Sequence, residues 1–170
     1  MGKKSNIFIL KKSNKLLKDF VEDSFHELAP LGSYQIYLLI VILFLINGFF
    51  NEFKFLILGF ILINLIGIPI RYYFFKERPI PKKYDNLIEK IFASSFPSMH
   101  SSRSIFLGLF FTFYLNNLIS IIIIWLIIIT ILYSRIYTKR HYWIDIFGGI
   151  ILGLFIYLIL IYLFNINLFI

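Results

Sequence analysis

After Asp145 the chain carries no charged residue, and between Glu89 and Asp145 it carries no acid. Charge is gathered into blocks instead. Lys3, Lys4, Lys11, Lys12, Lys15 and Lys18 stand near the start, and most of the remainder falls in 71–90 and 135–145. Blocks of this kind remain when ionised groups are excluded from hydrocarbon and confined to loops. The 59% apolar content is more than a soluble domain of 170 residues can cover with polar surface, and it also excludes disorder. The length fits one domain. The absence of cysteine excludes disulfides, thiolate metal sites and cysteine nucleophiles. A net charge of +8 suggests nucleic acid in a soluble chain; beside long apolar runs it points to anionic lipid, and no nucleic-acid partner is expected.

The expected architecture is an all-α integral membrane bundle of five transmembrane helices plus an N-terminal amphipathic helix. Residues 1–30 form a basic amphipathic segment, and 31–170 form the transmembrane domain. In the first segment Leu16, Leu17, Phe20, Val21, Phe25 and Leu28 recur at helical spacing between charges, which suits a helix lying in the membrane interface. Its longest apolar run, Ile7 to Leu10, is too short for a signal peptide. Pro30 and Gly32 end it. The first span is expected over 31–50, with Asn51, Glu52 and Lys54 in a tight turn, and the second over 55–75. Residues 76–96 read as a polar loop. One helix over Ile105–Leu132 would be about 42 Å long, too long for a hydrocarbon core of about 30 Å. Asn116-Asn117 is therefore read as a turn between spans 98–115 and 118–135. The last span is expected over 143–164.

This arrangement puts the N-terminal segment, the 76–96 loop and the 135–142 loop on one side. That side holds 16 of the 17 basic residues, all but Lys54, and by the positive-inside rule it is cytoplasmic. The richness in Ile, Lys and Asn suggests an AT-rich prokaryotic genome.

Three segments on that side hold residues unusual for a membrane protein. Arg71 and Arg78-Pro79 belong to the first, Pro97-Ser98-Met99-His100 to the second, and Ser134-Arg135 with His141 and Asp145 to the third. His141 and Asp145 are four apart, so on a helix they share one face. The carboxylate can then fix the imidazole tautomer and leave the other ring nitrogen as a nucleophile. Asp145 is the last acid in the chain, and a lone carboxylate at the head of a span is costly without a partner or task. Arg71, Arg78 and Arg135 can converge on one anion, since the guanidinium fork suits phosphate. Lys76, Lys82, Lys83, Lys90, Lys139 and Arg140 read as solvated or headgroup-facing charges. His100 follows Pro97 at a helix start, where free backbone N–H groups favour anions.

These segments resemble the three signature motifs of the type 2 phosphatidic acid phosphatase superfamily. The first motif is matched by Arg71 and Arg78-Pro79, with Arg71 where the family has Lys. The second is matched by Pro97-Ser98-Met99-His100, with Met99 where the family has Gly. The third is matched in full by Ser134, Arg135, His141 and Asp145. The resemblance implies that His141 attacks phosphorus and becomes a phosphohistidine. It implies further that Asp145 orients His141 and that His100 protonates the leaving oxygen. Arg71, Arg78, Arg135 and Ser98, with the Met99 N–H, would bind the phosphoryl oxygens. No metal or other cofactor is implied, because clustered cations can stabilise the transferred group by charge and positioning. The expected substrate is a lipid phosphate or diphosphate. Polyprenyl diphosphate, as in undecaprenyl-diphosphate phosphatases, is slightly favoured over phosphatidate or phosphatidylglycerophosphate. A non-catalytic anionic-lipid binder or transporter is the alternative from another class, but anion binding alone needs no oriented nucleophile.

Overall fold

The computed structural model describes residue 25 and residues 29–164. The amphipathic helix expected over 1–30 thus falls almost wholly outside the described residues. Among those described, the fold is all-helical. A 3-10 turn, Ala29–Gly32, precedes α1 (Tyr34–Ile46) and α2 (Phe50–Tyr73). The short α3 (Leu87–Ala93), α4 (Met99–Leu115), α5 (Leu118–Tyr137) and α6 (Trp143–Leu163) follow.

Five of these helices coincide with the five expected spans. Helices α2, α5 and α6 are each long and apolar enough to cross a membrane, whereas α1 has 13 residues and α4 has 17. At 1.5 Å per residue α1 is about 20 Å long, less than the hydrocarbon thickness. Local chemistry sets its ends. The Ser33 side chain caps the start by accepting from the Ile36 N–H. At the other end Asn47 donates to the Leu43 carbonyl at 2.8 Å, and Gly48 turns the chain at φ 78°. The turn therefore lies at Asn47–Phe49, earlier than the expected Asn51–Lys54, because Gly48 takes the left-handed conformation without a Cβ penalty. Glu52 lies instead in the first turn of α2, where a carboxylate suits the helix dipole.

The Asn-Asn turn is as expected. Asn116 adopts φ 42°, and the Asn117 side chain caps α5 by accepting from the Ser120 N–H at 3.1 Å. The 76–96 segment differs from the expected loop, since it contains α3. That helix is started by Asn86, whose side chain accepts from the Glu89 N–H at 2.8 Å, while Glu89 accepts from the Asp85 N–H.

Lipid is as apolar as leucine, so helices in a bilayer associate through close packing and interhelical hydrogen bonds. Both occur here. Tyr37 of α1 is fully buried and donates to the Leu56 carbonyl of α2 at 2.8 Å. Trp125 of α5 donates to Thr112 of α4 at 3.0 Å. Phe55, Phe106 and Tyr157 bring three helices to one aromatic centre, with ring separations of 5.6–5.8 Å. The closest approach is between α4 and α6. A Cβ at Gly149 would meet the Ser98 carbonyl, and one at Gly153 would meet the Ser102 carbonyl. Two small residues four apart on α6 thus hold the start of α4 against the start of α6.

Gly153→Val is predicted to push α4 off α6 and destabilise the protein by about 1–3 kcal/mol or more. Thermal unfolding in detergent measures this; an unchanged midpoint would show that the contact is unimportant.

Candidate active site

The bundle brings the ends of α2, α4, α5 and α6 that carry the three segments to one end of the molecule. Main-chain contacts then fix the segments to one another. The Ser95 N–H donates to the Lys76 carbonyl at 2.8 Å, and the Ser95 hydroxyl donates to the Glu77 carbonyl at 3.1 Å. The Ser98 N–H donates to the Asp145 carbonyl at 2.9 Å, and the Ile80 N–H to the Lys139 carbonyl at 3.3 Å. Each pair of segments is therefore joined directly.

The side chains of Arg71 and Arg78 are held by carbonyl oxygens. Arg71, 5% exposed, donates to the Pro97 carbonyl through Nε at 3.1 Å and through Nη2 at 2.8 Å. Arg78 donates to the Ala93 carbonyl at 3.1 Å and to the Phe92 carbonyl at 2.9 Å, anchoring the end of α3. Arg135 lies in the last turn of α5, fully buried, and its carbonyl accepts from the N–H groups of Arg140 and His141. A carbonyl orients a guanidinium without neutralising it, so the positive charge stays available to a ligand.

His141 and Asp145 meet as expected, but through a different local structure. His141 lies in the connection before α6 rather than on a helix, and Asp145 occupies the first turn of α6. The turn at Tyr142 folds the pair together. Asp145 Oδ2 accepts from the Tyr142 N–H at 2.8 Å and stands 3.8 Å from His141 Nδ1. That separation is in electrostatic reach but longer than a hydrogen bond. With Nδ1 turned to Asp145, Nε2 is the imidazole nitrogen on the cavity side. Asp145 Oδ1 accepts from Lys76 Nζ at 2.7 Å. Lys76, expected as a solvated or headgroup-facing charge, is thus a part-exposed partner of the buried carboxylate and lies 4.6 Å from the centre of the Tyr142 ring.

A cavity of about 470 Å³ opens among these groups. Its wall includes Arg71, Arg78, Arg135, His100 and His141, all expected there. It also includes Lys82 and Arg140, expected as solvated or headgroup-facing charges, and Arg103, for which the sequence motifs imply no role. A signal for Arg103 was present, since a cation one turn beyond His100, heading into an apolar run, is a functional residue by default. Among the described residues no carboxylate is part of the wall. Phe60, Asn64 and Ile68 recur every fourth residue along α2, so the cavity continues down one face of that helix.

Ser98 and Asp145 are not part of the wall. Ser98 is fully buried as the N-cap of α4, and the Ser101 hydroxyl donates to its Oγ at 2.9 Å. Pro97 precedes this cap and so lies before the helix rather than in its first turn. Met99 is part of the wall but turns its thioether toward α2, where Gly67 makes room: a Cβ at Gly67 would lie 2.5 Å from the Met99 sulfur. The larger side chain is thereby absorbed into the packing between helices.

Electrostatics follow from this wall. Burial holds His141 below the ordinary imidazole range, with Arg78 and Arg71 acting in the same sense and the Asp145 carboxylate opposing them. Arg78 is likewise lowered, first by burial and then by nearby Arg140. The site can therefore present a neutral imidazole beside a strongly cationic surface, which is suited to nucleophilic attack on a bound anion.

The sequence model of the PAP2 superfamily matches residues 37–168. The chain is similar in structure to LpxE of Aquifex aeolicus, with a TM-score of 0.70 and 24% identity, over 84% of this chain and 86% of that one. It is also similar to the transmembrane PAP2 type phosphatidylglycerolphosphate phosphatase of Bacillus subtilis. There the TM-score is 0.66 and the identity 20%, over 87% and 78% of the two chains. A search of curated proteins finds no match.

The His141 imidazole is predicted to titrate below about 6.5 in NMR spectra, and Asp145→Asn should lower it further by removing the opposing carboxylate. A rise on that substitution would contradict this account of the pair.

Proposed function

The chain belongs to the PAP2 superfamily, and from that premise we propose that it is an integral-membrane lipid phosphatase working through a phosphohistidine. The observation that carries this reading is the cavity itself: two histidines and a wall of cations with no carboxylate among the described residues, continuing along Phe60, Asn64 and Ile68 of α2. A phosphate fits the cationic end, and the first part of a lipid tail fits the other.

His141 Nε2 attacks phosphorus, an N–P bond forms, and the P–O bond to the lipid breaks. His100 gives its proton to the departing oxygen. His100 then takes a proton from water, whose oxygen attacks phosphorus as the N–P bond breaks, and phosphate leaves. Asp145 holds His141 and stabilises its positive charge, while Lys76 and the Tyr142 N–H keep Asp145 ionised and in place. Arg71, Arg78 and Arg135 bind the phosphoryl oxygens, where pre-oriented cations favour the charge of the transition state. The Met99 N–H, in the first turn of α4, adds a donor. Ser98 contributes by capping that turn.

Glycerolipid phosphates and polyprenyl diphosphates both fit this description. The Bacillus subtilis relative is by its title a phosphatidylglycerolphosphate phosphatase. We assign the site to the cytoplasmic face on the basis of the lopsided basic charge.

His141→Ala is predicted to lower phosphate release from a lipid-phosphate panel by at least about three orders of magnitude, with the fold intact. Wild-type protein labelled with a 32P-phosphate lipid should yield an acid-labile phosphohistidine that the variant lacks. Near wild-type turnover in the variant would remove His141 from the nucleophilic role. Vesicle uptake without hydrolysis would favour a transporter. For sidedness, Asp85→Cys should react with impermeant maleimide from the cytoplasmic side alone; labelling only from outside reverses the assignment.

A further inference from the structure

The transferred phosphate engages Arg71, Arg78 and Arg135 in the reading above, which leaves Arg103 without a task. This guanidinium is 5% exposed and forms part of the cavity wall. Among the described residues its one hydrogen bond runs from Nε to the Gly32 carbonyl at 3.3 Å, and its Nη groups make none. Among the described residues no carboxylate shares the wall with it. Burying a cation in this way is costly unless an anion answers it.

Its register says where that anion would sit. His100 lies in the first turn of α4 and Arg103 three residues further on, about 4.5 Å deeper along the helix. Arg103 is therefore on the membrane side of the histidines, the side from which a lipid tail leaves the reacting phosphate. Asn64 of α2 borders the same part of the cavity. Its side chain is a neutral amide whose Nδ2 donates to the Phe60 carbonyl at 2.7 Å, and it adds no positive charge there. The cation at that depth is Arg103.

We propose that Arg103 is a specificity-determining residue that binds a second phosphate, bridged to the first and lying between it and the tail, so that the preferred substrates are lipid diphosphates. This rests on the phosphatase reading and narrows its substrate class. Attack of His141 on the terminal phosphorus breaks the bond to the bridging oxygen. The electron pair goes to that oxygen, and the departing lipid monophosphate carries the growing negative charge. Arg103 meets that charge where it develops. A lipid monophosphate leaves as an alcohol, places no phosphate near Arg103, and gains nothing from it.

The test uses purified full-length protein with farnesyl phosphate and farnesyl diphosphate, two esters with one tail. Wild type should favour the diphosphate in kcat/KM. Arg103→Met should lose about tenfold more on the diphosphate than on the monophosphate, as expected for a charge-assisted contact, and Arg103→Lys should restore part of the difference. Inorganic pyrophosphate should inhibit wild type more strongly than inorganic phosphate, a comparison that needs no variant. Equal losses on both esters would give Arg103 a merely structural role and overturn the proposal. So would an unchanged ratio, or equal inhibition of wild type by the two anions. Folded wild-type protein that releases phosphate from neither ester defeats the phosphatase reading and the subsite together. Activity on both esters without a diphosphate preference defeats the subsite alone.

Discussion

Positive charge gathered in a low-dielectric pocket repels itself, and the architecture at the site end of this bundle answers that problem. Arg71, Arg78 and Arg103 are tied to the carbonyls of Pro97, Ala93, Phe92 and Gly32. Carboxylates would have held them more strongly but would have cancelled their charge. Carbonyl oxygens carry only partial charge, so each guanidinium is oriented and still attractive to an anion. Asp145 stands behind His141 and is occupied by Lys76 and the Tyr142 N–H. The positive field in the cavity therefore survives folding.

Backbone geometry has to serve this arrangement, which explains features that would otherwise look incidental. The end of α3 is where Arg78 finds its two carbonyls, so a short helix in a polar connection becomes part of the site. Ser94 and Ser95 tie the connection after α2 to the start of the second segment. Gly149 and Gly153 let α6 approach α4 closely enough for the Ser98 N–H to reach the Asp145 carbonyl. Gly67 accepts the bulk of Met99. Small residues in the spans thus do at a distance what the cations require nearby.

Much of this was legible in the sequence because exclusion of charge from hydrocarbon is a strong and local rule. It located the five long helices, and the Asn116-Asn117 pair divided the one apolar run too long for a single crossing. It also singled out Asp145, Arg71, Arg78 and Arg135, though not Arg103. What was not legible depends on partners distant in the chain. Lys76 looks like any loop lysine until it meets a carboxylate 69 residues away. The spacing of His141 and Asp145 suggested a shared helix face, yet a turn at Tyr142 brings them together, and spacing alone does not tell these apart. The Asn47-Gly48 dipeptide was a stronger turn signal than the charged residues after it, because backbone conformation there outweighs polarity.

The contact between Lys76 and Asp145 also has a temporal side. A ribosome completes Lys76 long before it reaches Asp145, which stands at the head of the last helix. Until that helix is made, Lys76 and His141 lack the Asp145 carboxylate, and the start of α4 lacks the Asp145 carbonyl that accepts from the Ser98 N–H. The contacts that join Lys76, His141 and the start of α4 to Asp145 therefore form only once the helix that begins at Trp143 has been made.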